Sequence, residues 1–589
     1  MGEGPIARSR RKRLRPYIAA ATVVALGTGA AIGVSAATAT SAKANGLAGY
    51  TVPKAVSTTL YRPPNTTTPI KHLVVIFPEN ESFDHYFGTY PYAANTDGTP
   101  FVAKPGTPTV NGLYTKITSN GPVGPLLTDN ANEYNPQRLT HSEALTSDQD
   151  HAYTPEQEAE DNGKMDKFVQ ETESATPSNG CGVEYCPPGI VMDYFDGNTV
   201  TALWNYAQYY SMGDNNWDPD FGPSTPGAVN LTSGSTSGAE AVDPLDSATP
   251  GTPTTSSSIV DENATTHLGT MYGDIDPYYD QCSDSNHTTT GATGILTGQN
   301  IGDLLNDSHI TWGWFQGGFA PTSTNSGGAV CGSDHENIGG AEVQDYVPHH
   351  DPFQYYASTA NPEHLAPSSL SEIGYTDQAN HQYDASYFGD ALTGTGGAKL
   401  PAVSFIKPPA YENAHPGNSD PLDEQTFVVN TINQIEQSKY WSSTAIVITY
   451  DDSDGWYDHQ APTITNGSND PSIDTAECTS VPITVGTEEA RCGESQRLPF
   501  IVISPYSREN YVSGVNTDTS SVLKFIEQNW LHSESIPDSY DAVAGSIDGP
   551  GGELDFRQFP HFQPVILDPT TGAVVSGGNW YGNEGKLKS

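Results

Sequence analysis

Two apolar, β-branched runs in this chain end abruptly in oxygen-bearing side chains. Residues 73–77 read Leu-Val-Val-Ile-Phe and give way, after Pro78, to Glu79-Asn80-Glu81-Ser82. Residues 444–450 read TAIVITY and run into Asp451-Asp452. Runs of this kind, bounded by a breaker, read as buried strands of a parallel sheet. In open α/β sheets, ligands gather at the carboxyl ends of the strands. Taken singly, Glu79-Asn80 also suits a capped turn, since Asn, Glu and Ser after a strand commonly begin a helix. Taken together, Glu79, Asn80, Asp451 and Asp452 would repel one another if they met without a cation. An all-oxygen donor set favours a hard metal ion (Mg, Ca, Mn or iron) over a thiolate-type zinc site.

The second half of the chain supports that frame. Residues 402–406 form a short strand. Asp420-Pro421 opens a helix running to about residue 439, with Val428, Ile432 and Ile435 on one face. Residues 498–504 (LPFIVIS) form another strand, and a helix follows from about Ser520 with Val522, Ile526 and Trp530 four residues apart. This alternation predicts an α/β fold with a largely parallel central sheet flanked by helices. Upstream, residues 310–315 are a candidate strand and 198–208 a candidate helix. Thr154-Pro155-Glu156-Gln157 reads as a helix start, Thr154 as N-cap and Pro155 at the first position. Long loop insertions separate these elements: residues 89–137, and a Ser/Thr/Gly/Pro-rich stretch near 232–266. The tail, 536–589, reads as no separate domain.

Formal charge is -45, from 25 Lys+Arg against 70 Asp+Glu. A field of that sign repels nucleic acid and anionic membrane surfaces, so no nucleic-acid partner is expected. An anionic substrate needs a local cation, which again points to a bound metal. The positive charge that exists is concentrated at the start: Arg8, Arg10, Arg11, Lys12, Arg13 and Arg15 precede an apolar run over 17–39 and a small-residue Ala42-Lys43-Ala44 site. Residues 1–44 therefore read as a secretory signal peptide, with an uncleaved anchor as runner-up. The stretch 45–69 reads as an extended leader, and 70–589 as one catalytic domain without a stable membrane partner. The six cysteines suit an exported chain with disulfides, paired locally as 181–186, 282–331 and 478–492.

Four further residues stand out. Ser224, in Gly222-Pro223-Ser224-Thr225-Pro226-Gly227, falls near a helix start, where a hydroxyl either caps the helix or serves as a nucleophile beside anion-binding N–H groups. His151 precedes a helix, His350 lies in a proline-flanked loop beside His349, and His415 opens an HPGNSDP stretch. A lone loop histidine is more often structural than catalytic.

The motifs VVIFPENESFDHYFG, NGKMDKF, GPSTPGAVNL, VPHHDPFQYY, HPGNSDPLDEQ and TYDDSDGWYDH, in this order, resemble the bacterial phosphoesterase family. That family holds phosphatidylcholine-type phospholipases C and secreted acid phosphatases and belongs to the alkaline-phosphatase-like superfamily. The resemblance spans about residues 70–531. It implies that Glu79, Asn80, Ser224, Asp451 and Asp452 are metal ligands and Ser224 the nucleophile. It also implies that His151, His350 and His415 surround the phosphoryl group. The expected substrate is a phosphate ester, with a phospholipid as runner-up, and the expected route is a phosphoserine intermediate with an acidic optimum. The phospholipase C branch typically carries Pro-Asn-Arg after its nucleophile, where this chain has Pro226-Gly227-Ala228, and this departure points to the acid-phosphatase branch. The same segment lacks the arginine of a sulfatase maturation motif. An inactive secreted binding protein on the same fold is the reading from another class, and intact candidates at every catalytic position argue against it.

Overall fold

The computed structural model describes residues 65–174, 181–261, 263, 265–284 and 290–577. The signal peptide expected over 1–44 and most of the leader expected over 45–69 lie outside the described residues.

The central sheet has eight strands: β1 (His72–Ile76), β2 (Ser211–Gly213), β3 (Trp312–Gln316), β4 (Gln382–Asp384), β5 (Val403–Lys407), β6 (Thr444–Ile448), β7 (Phe500–Ile503) and β8 (Tyr511–Ser513). Their spatial order is β4-β3-β5-β1-β6-β7-β2-β8. From β4 to β6 every pairing is parallel, as the alternating pattern predicts. β7 departs from that expectation, running antiparallel to both β6 and β2. The cause lies just ahead of it. Arg497 is fully buried and pinned to Asp458, with Nη2–Oδ1 2.9 Å, and Asp458 lies shortly past the end of β6. The chain therefore re-enters the sheet from the end it has just left.

Among the helices are α1 (Phe83–Phe87), α2 (Tyr153–Glu160), α3 (Thr201–Tyr209), α4 (Ser224–Ser233), α5 (Pro421–Glu436) and α6 (Ser521–Trp530). In α5, Asp420 accepts from the N–H groups of Leu422 (2.7 Å) and Asp423 (3.0 Å), the expected cap ahead of a proline. In α2 the expected cap is corrected: Ala152 is the N-cap, and the Thr154 hydroxyl donates to Ile473 O at 2.8 Å instead.

Strand side chains alternate between two apolar layers. Val74, Ile76, Ile446, Ile448, Ile501 and Ile503 pack with Leu203 and Trp204 of α3 and Val428 and Ile432 of α5. Leu73, Val75, Ala445, Val447 and Val502 pack with Ala228 and Leu231 of α4 and Val522 and Ile526 of α6. Burying each such aliphatic side chain stabilises the fold by about 1.5–3 kcal/mol. A one-residue slip of β1 would exchange its two faces, so the apolar pattern fixes the register. That register pairs Leu73 with Ala445 and Ile76 with Ile448. Carried past the strand ends, the same offset sets Glu79 beside Asp451 and Asn80 beside Asp452.

The Ser/Thr/Gly-rich stretch after α4 is an ordered antiparallel sheet and extends beyond residue 266. Its strands, in spatial order, are Ile259–Asp261, Gly269–Met271, Ser237–Val242 and Thr293–Leu296. They enclose Ala239, Ala241, Met271 and Leu296 against Val229 and Tyr355. The disulfides are Cys181–Cys186, Cys282–Cys331 and Cys478–Cys492, the pairing expected from sequence proximity. Among the described residues no helix is long and apolar enough to cross a membrane.

Candidate active site

Beyond β1 the chain turns sharply. Asn80 adopts φ 59°, a left-handed conformation that Asn tolerates better than most residues. The turn is held by its N–H, which donates to Asp451 Oδ1 at 3.0 Å, and by Glu81 N–H, which donates to the Asp452 carbonyl at 3.0 Å. Both expected ligand pairs therefore stand side by side at the carboxyl ends of neighbouring strands, fully buried.

Ser224 is the first residue of α4, after the N-cap Pro223, so its side chain is not spent on capping. Its Oγ lies 2.9 Å from Asp452 Oδ2, 3.3 Å from Glu79 Oε2 and 3.4 Å from Asn80 Oδ1. Gly227, one turn on, lets α4 come this close. A Cβ there would lie 2.0 Å from the Asp451 carbonyl oxygen.

Lys407, the last residue of β5, is fully buried and pairs with Glu79 Oε1 and with Asp451 Oδ2, the latter at 3.0 Å. Asp451 thus faces the lysine and two backbone amides, while Glu79, Asn80 and Asp452 face Ser224. His350 is buried with Nδ1 2.8 Å from Glu79 Oε1. His151 is half-buried, its Nε2 3.4 Å from Asn80 Nδ2 and its ring 6.3 Å from that of His415. Each of these two imidazoles has Nδ1 against a backbone carbonyl, Gln149 O at 2.9 Å and Pro416 O at 2.7 Å. That leaves each Nε2 directed elsewhere. All eight sequence-derived site residues converge on one cleft.

Two further residues are part of it, and the sequence reading did not single them out. Lys407 is one. Asp454 is the other: its Oδ1 accepts from Asn80 Nδ2 at 3.1 Å and lies 3.3 Å from His151 Nδ1, which turns the Asn80 carbonyl oxygen toward Ser224. A lone lysine closing an apolar strand, and a third aspartate in Asp-Asp-Ser-Asp-Gly, were the available signals.

The electrostatics follow from crowding. Burial and the neighbouring Glu79 carboxylate push Asp451 up to about 6, against the pull of Lys407. Burial drives Asp452 well above the carboxylate range; His151 opposes this and Asp451 adds to it. Burial works against the Glu79 carboxylate, but the Lys407 ammonium, a hydrogen bond shared with Asp451 and the nearby His415 together hold that carboxyl low. Burial would discharge His151, yet the carboxylates of Asp452, Asp148 and Asp274 raise it to about 10. His350, by contrast, is driven well below its ordinary value by burial and by the charges of His349 and Lys407.

This donor set fits a hard metal ion. Ser224 has one hydroxyl hydrogen and three oxygen acceptors around it. One proton serves one acceptor, whereas a small cation can take oxygens from all of them. Glu79, Asp451 and Asp452 are buried together and only the first two are paired with the Lys407 ammonium, an excess of negative charge that a cation would help to balance. Outside the cleft, Asp84, Asp458 and His459 also cluster, but the Arg497 guanidinium already sits among them.

The phosphoesterase family model matches residues 70–531. Among curated proteins, the chain is 29% identical to a non-hemolytic phospholipase C of Pseudomonas aeruginosa over 259 residues, 37% of this chain and 36% of that one. It is 31% identical to a non-hemolytic phospholipase C of Burkholderia pseudomallei over 142 residues, 23% of this chain and 20% of the other. It is 26% identical to phospholipase C A of Mycobacterium tuberculosis over 191 residues, 32% and 36% of the two chains. The matched stretches cover between a fifth and about a third of those relatives' lengths. With the family model matching most of its length, this chain belongs to the phosphoesterase family.

Proposed function

We propose that the chain is a hydrolase of phosphoric ester bonds, acid-phosphatase-like, that works through a phosphoserine at Ser224. The observation that carries this is the placement of the Ser224 hydroxyl, buried among three oxygen acceptors at the start of a helix. Glu79, Asn80, Ser224, Asp451 and Asp452 would hold a hard metal ion. When bound, such an ion lowers the cost of the serine alkoxide and of charge on the phosphoryl oxygens.

The chain's own groups supply the rest. The Ser224 hydrogen is directed at Asp452 Oδ2, the nearest of its acceptors at 2.9 Å. Oγ attacks phosphorus in line, the Oγ–P bond forms, and the bond to the leaving alcohol breaks. His151 is surrounded by carboxylates that favour its charged form, so an imidazolium is on hand to face a phosphoryl oxygen or protonate the departing alkoxide. His415 stands across the cleft from it. His350, held neutral, orients Glu79. Water then hydrolyses the phosphoserine by the reverse geometry.

A second reading, phospholipase C action on phosphatidylcholine-type diesters, is favoured by the names of the relatives. Against it, the approach of Gly227 to Asp451 leaves no space for the asparagine expected in that branch. Three disulfides using all six cysteines support export to an oxidising compartment.

The test is the purified chain against p-nitrophenyl phosphate, bis(p-nitrophenyl) phosphate and phosphatidylcholine, with and without chelator, across pH. Chelator-sensitive turnover that Ser224→Ala abolishes is expected. Undiminished turnover in that variant would remove Ser224 from its role.

A further inference from the structure

The insertion sheet reaches back into the cleft. Past its strand Gly269–Met271, the segment 272–276 is held against the start of α4 and the loop of His349. The Tyr272 ring meets that of Tyr153 edge-on at 5.5 Å. Ser258 Oγ donates to the Asp274 carbonyl at 2.6 Å, and the Tyr355 hydroxyl donates to the Ile275 carbonyl at 2.5 Å. This rigid segment presents Asp274, whose Oδ1 accepts from the backbone N–H of Thr225 at 3.0 Å. Thr225 follows Ser224 directly. Its N–H is one of the free donors at the start of α4, a type of group that otherwise binds a phosphoryl oxygen. The imidazoles of His349 and His151 lie within electrostatic reach of the same carboxylate. Two residues on, Asp276 lies 3.4 Å from His349 Nδ1. Both carboxylates, and the Tyr355 hydroxyl between them, come from outside the motifs that carry Ser224 and the metal-type ligands.

We propose that Asp274 is a specificity-determining residue, a charge filter that admits phosphate esters bearing one negative charge and disfavours those bearing two. This rests on the phosphoester reading above and narrows its substrate class. A carboxylate already occupies the N–H beside the nucleophile. A phosphoryl group of single charge can share the space with help from His151 and His349, whereas a second charge meets direct repulsion. A diester carries one charge at any working pH. A monoester carries one only below its second ionisation, at about pH 6. The filter therefore confines monoester turnover to acid, in keeping with the acid-phosphatase-like reading, and by itself sets no pH limit on a diester.

The experiment uses the full metal-loaded chain, wild type and Asp274→Asn, and compares kcat/KM for p-nitrophenyl phosphate with that for bis(p-nitrophenyl) phosphate. Removing one charge a few ångströms from the phosphoryl group at a partly solvated rim should raise the monoester-to-diester ratio about tenfold at about pH 7.5, and much less at about pH 5. A ratio that stays the same or falls at the higher pH in a variant with wild-type thermal unfolding overturns the proposal. A measurement on the wild type alone guards against a variant that does not fold. Calorimetric affinity for inorganic phosphate should weaken relative to that for dimethyl phosphate as pH rises past neutrality, and parallel affinities would also overturn the filter. If the wild type hydrolyses neither ester, the phosphoester reading fails instead, and the calorimetric comparison still tests the filter by itself.

Discussion

Gly227→Ala isolates the contact that seats Ser224, the proposed nucleophile. By helix propensity alone the change is favourable, since alanine in a helix interior is worth about 1 kcal/mol over glycine. The structure predicts the opposite result. A Cβ at this position would lie 2.0 Å from the Asp451 carbonyl oxygen, 2.6 Å from its carbon and 3.1 Å from its Cα. These are backbone atoms at the end of β6 and cannot rotate away. Reaching an ordinary contact of about 3.5 Å requires the start of α4 and the end of β6 to part by more than ~1 Å. Overpacking of this kind costs about 1–3 kcal/mol, so stability should fall slightly despite the propensity gain. The larger loss is in the site. Ser224 begins the same helix, and its 2.9 Å contact with Asp452 would open by a similar amount. A displacement of ~1 Å costs about a hundredfold in rate. Steady-state kinetics with p-nitrophenyl phosphate should therefore show kcat down by about two orders of magnitude, with KM changed far less and the melting temperature lower by a few degrees. Wild-type kcat in the alanine variant would refute the argument that this approach sets the nucleophile.

Lys407→Met should destabilise the metal-free protein by about 3–5 kcal/mol, because Glu79 and Asp451 would be left buried without their counter-ion; chemical denaturation with and without added divalent ion would measure it, and a loss below about 1 kcal/mol would contradict the pairing. Asp454→Ala, which frees the Asn80 amide and the His151 imidazole, should weaken metal affinity by about 10–100-fold in an equilibrium titration while leaving the fold intact. Stability should be greatest in mild acid. Burial raises Glu436 to about 8 despite donors from Tyr210 and Val565, and raises Glu424 to about 8 despite Tyr450 and Tyr86. Each therefore folds with its proton on, so its full contribution is present below the ordinary glutamate value and is lost as pH climbs to about 8, at about 1.4 kcal/mol per pH unit for each group. A melting temperature that rises between about pH 5 and 8 would reverse that sign.

Much of this was legible in the sequence, for a physical reason. Burial of β1 and β6 on both faces leaves a continuous β-branched run, and strand ends in parallel sheets are where ligands collect, so Glu79, Asn80, Asp451 and Asp452 could be named from pattern alone. Asp420-Pro421 announced α5 through local capping chemistry. The direction of β7 was not legible, because it is set by Arg497 meeting Asp458 and Asp84, contacts between distant parts of the chain. Thr154 resembled a cap, yet its hydroxyl found a tertiary partner in Ile473. Lys407 escapes notice because a lysine after an apolar run ordinarily faces solvent. Its burial depends on the two carboxylates delivered by β1 and β6. The ordered sheet within the Ser/Thr/Gly-rich insertion was hidden by composition, since its strands are short and its apolar residues (Ala239, Ala241, Ile259, Met271 and Leu296) are thinly spread among polar ones.

The pairing of β1 with β6 also sets a timetable. Half of the proposed cation site is made near the start of the described chain and the other half only after residue 450, with β5 arriving on the opposite flank of β1 shortly before. Until residues 403–448 have emerged, the strand that leads to Glu79 and Asn80 lacks both of its neighbours in the sheet. On the function proposed above, a nascent or truncated chain would hold neither the ion nor an activated serine, and both would appear together when the sheet closes.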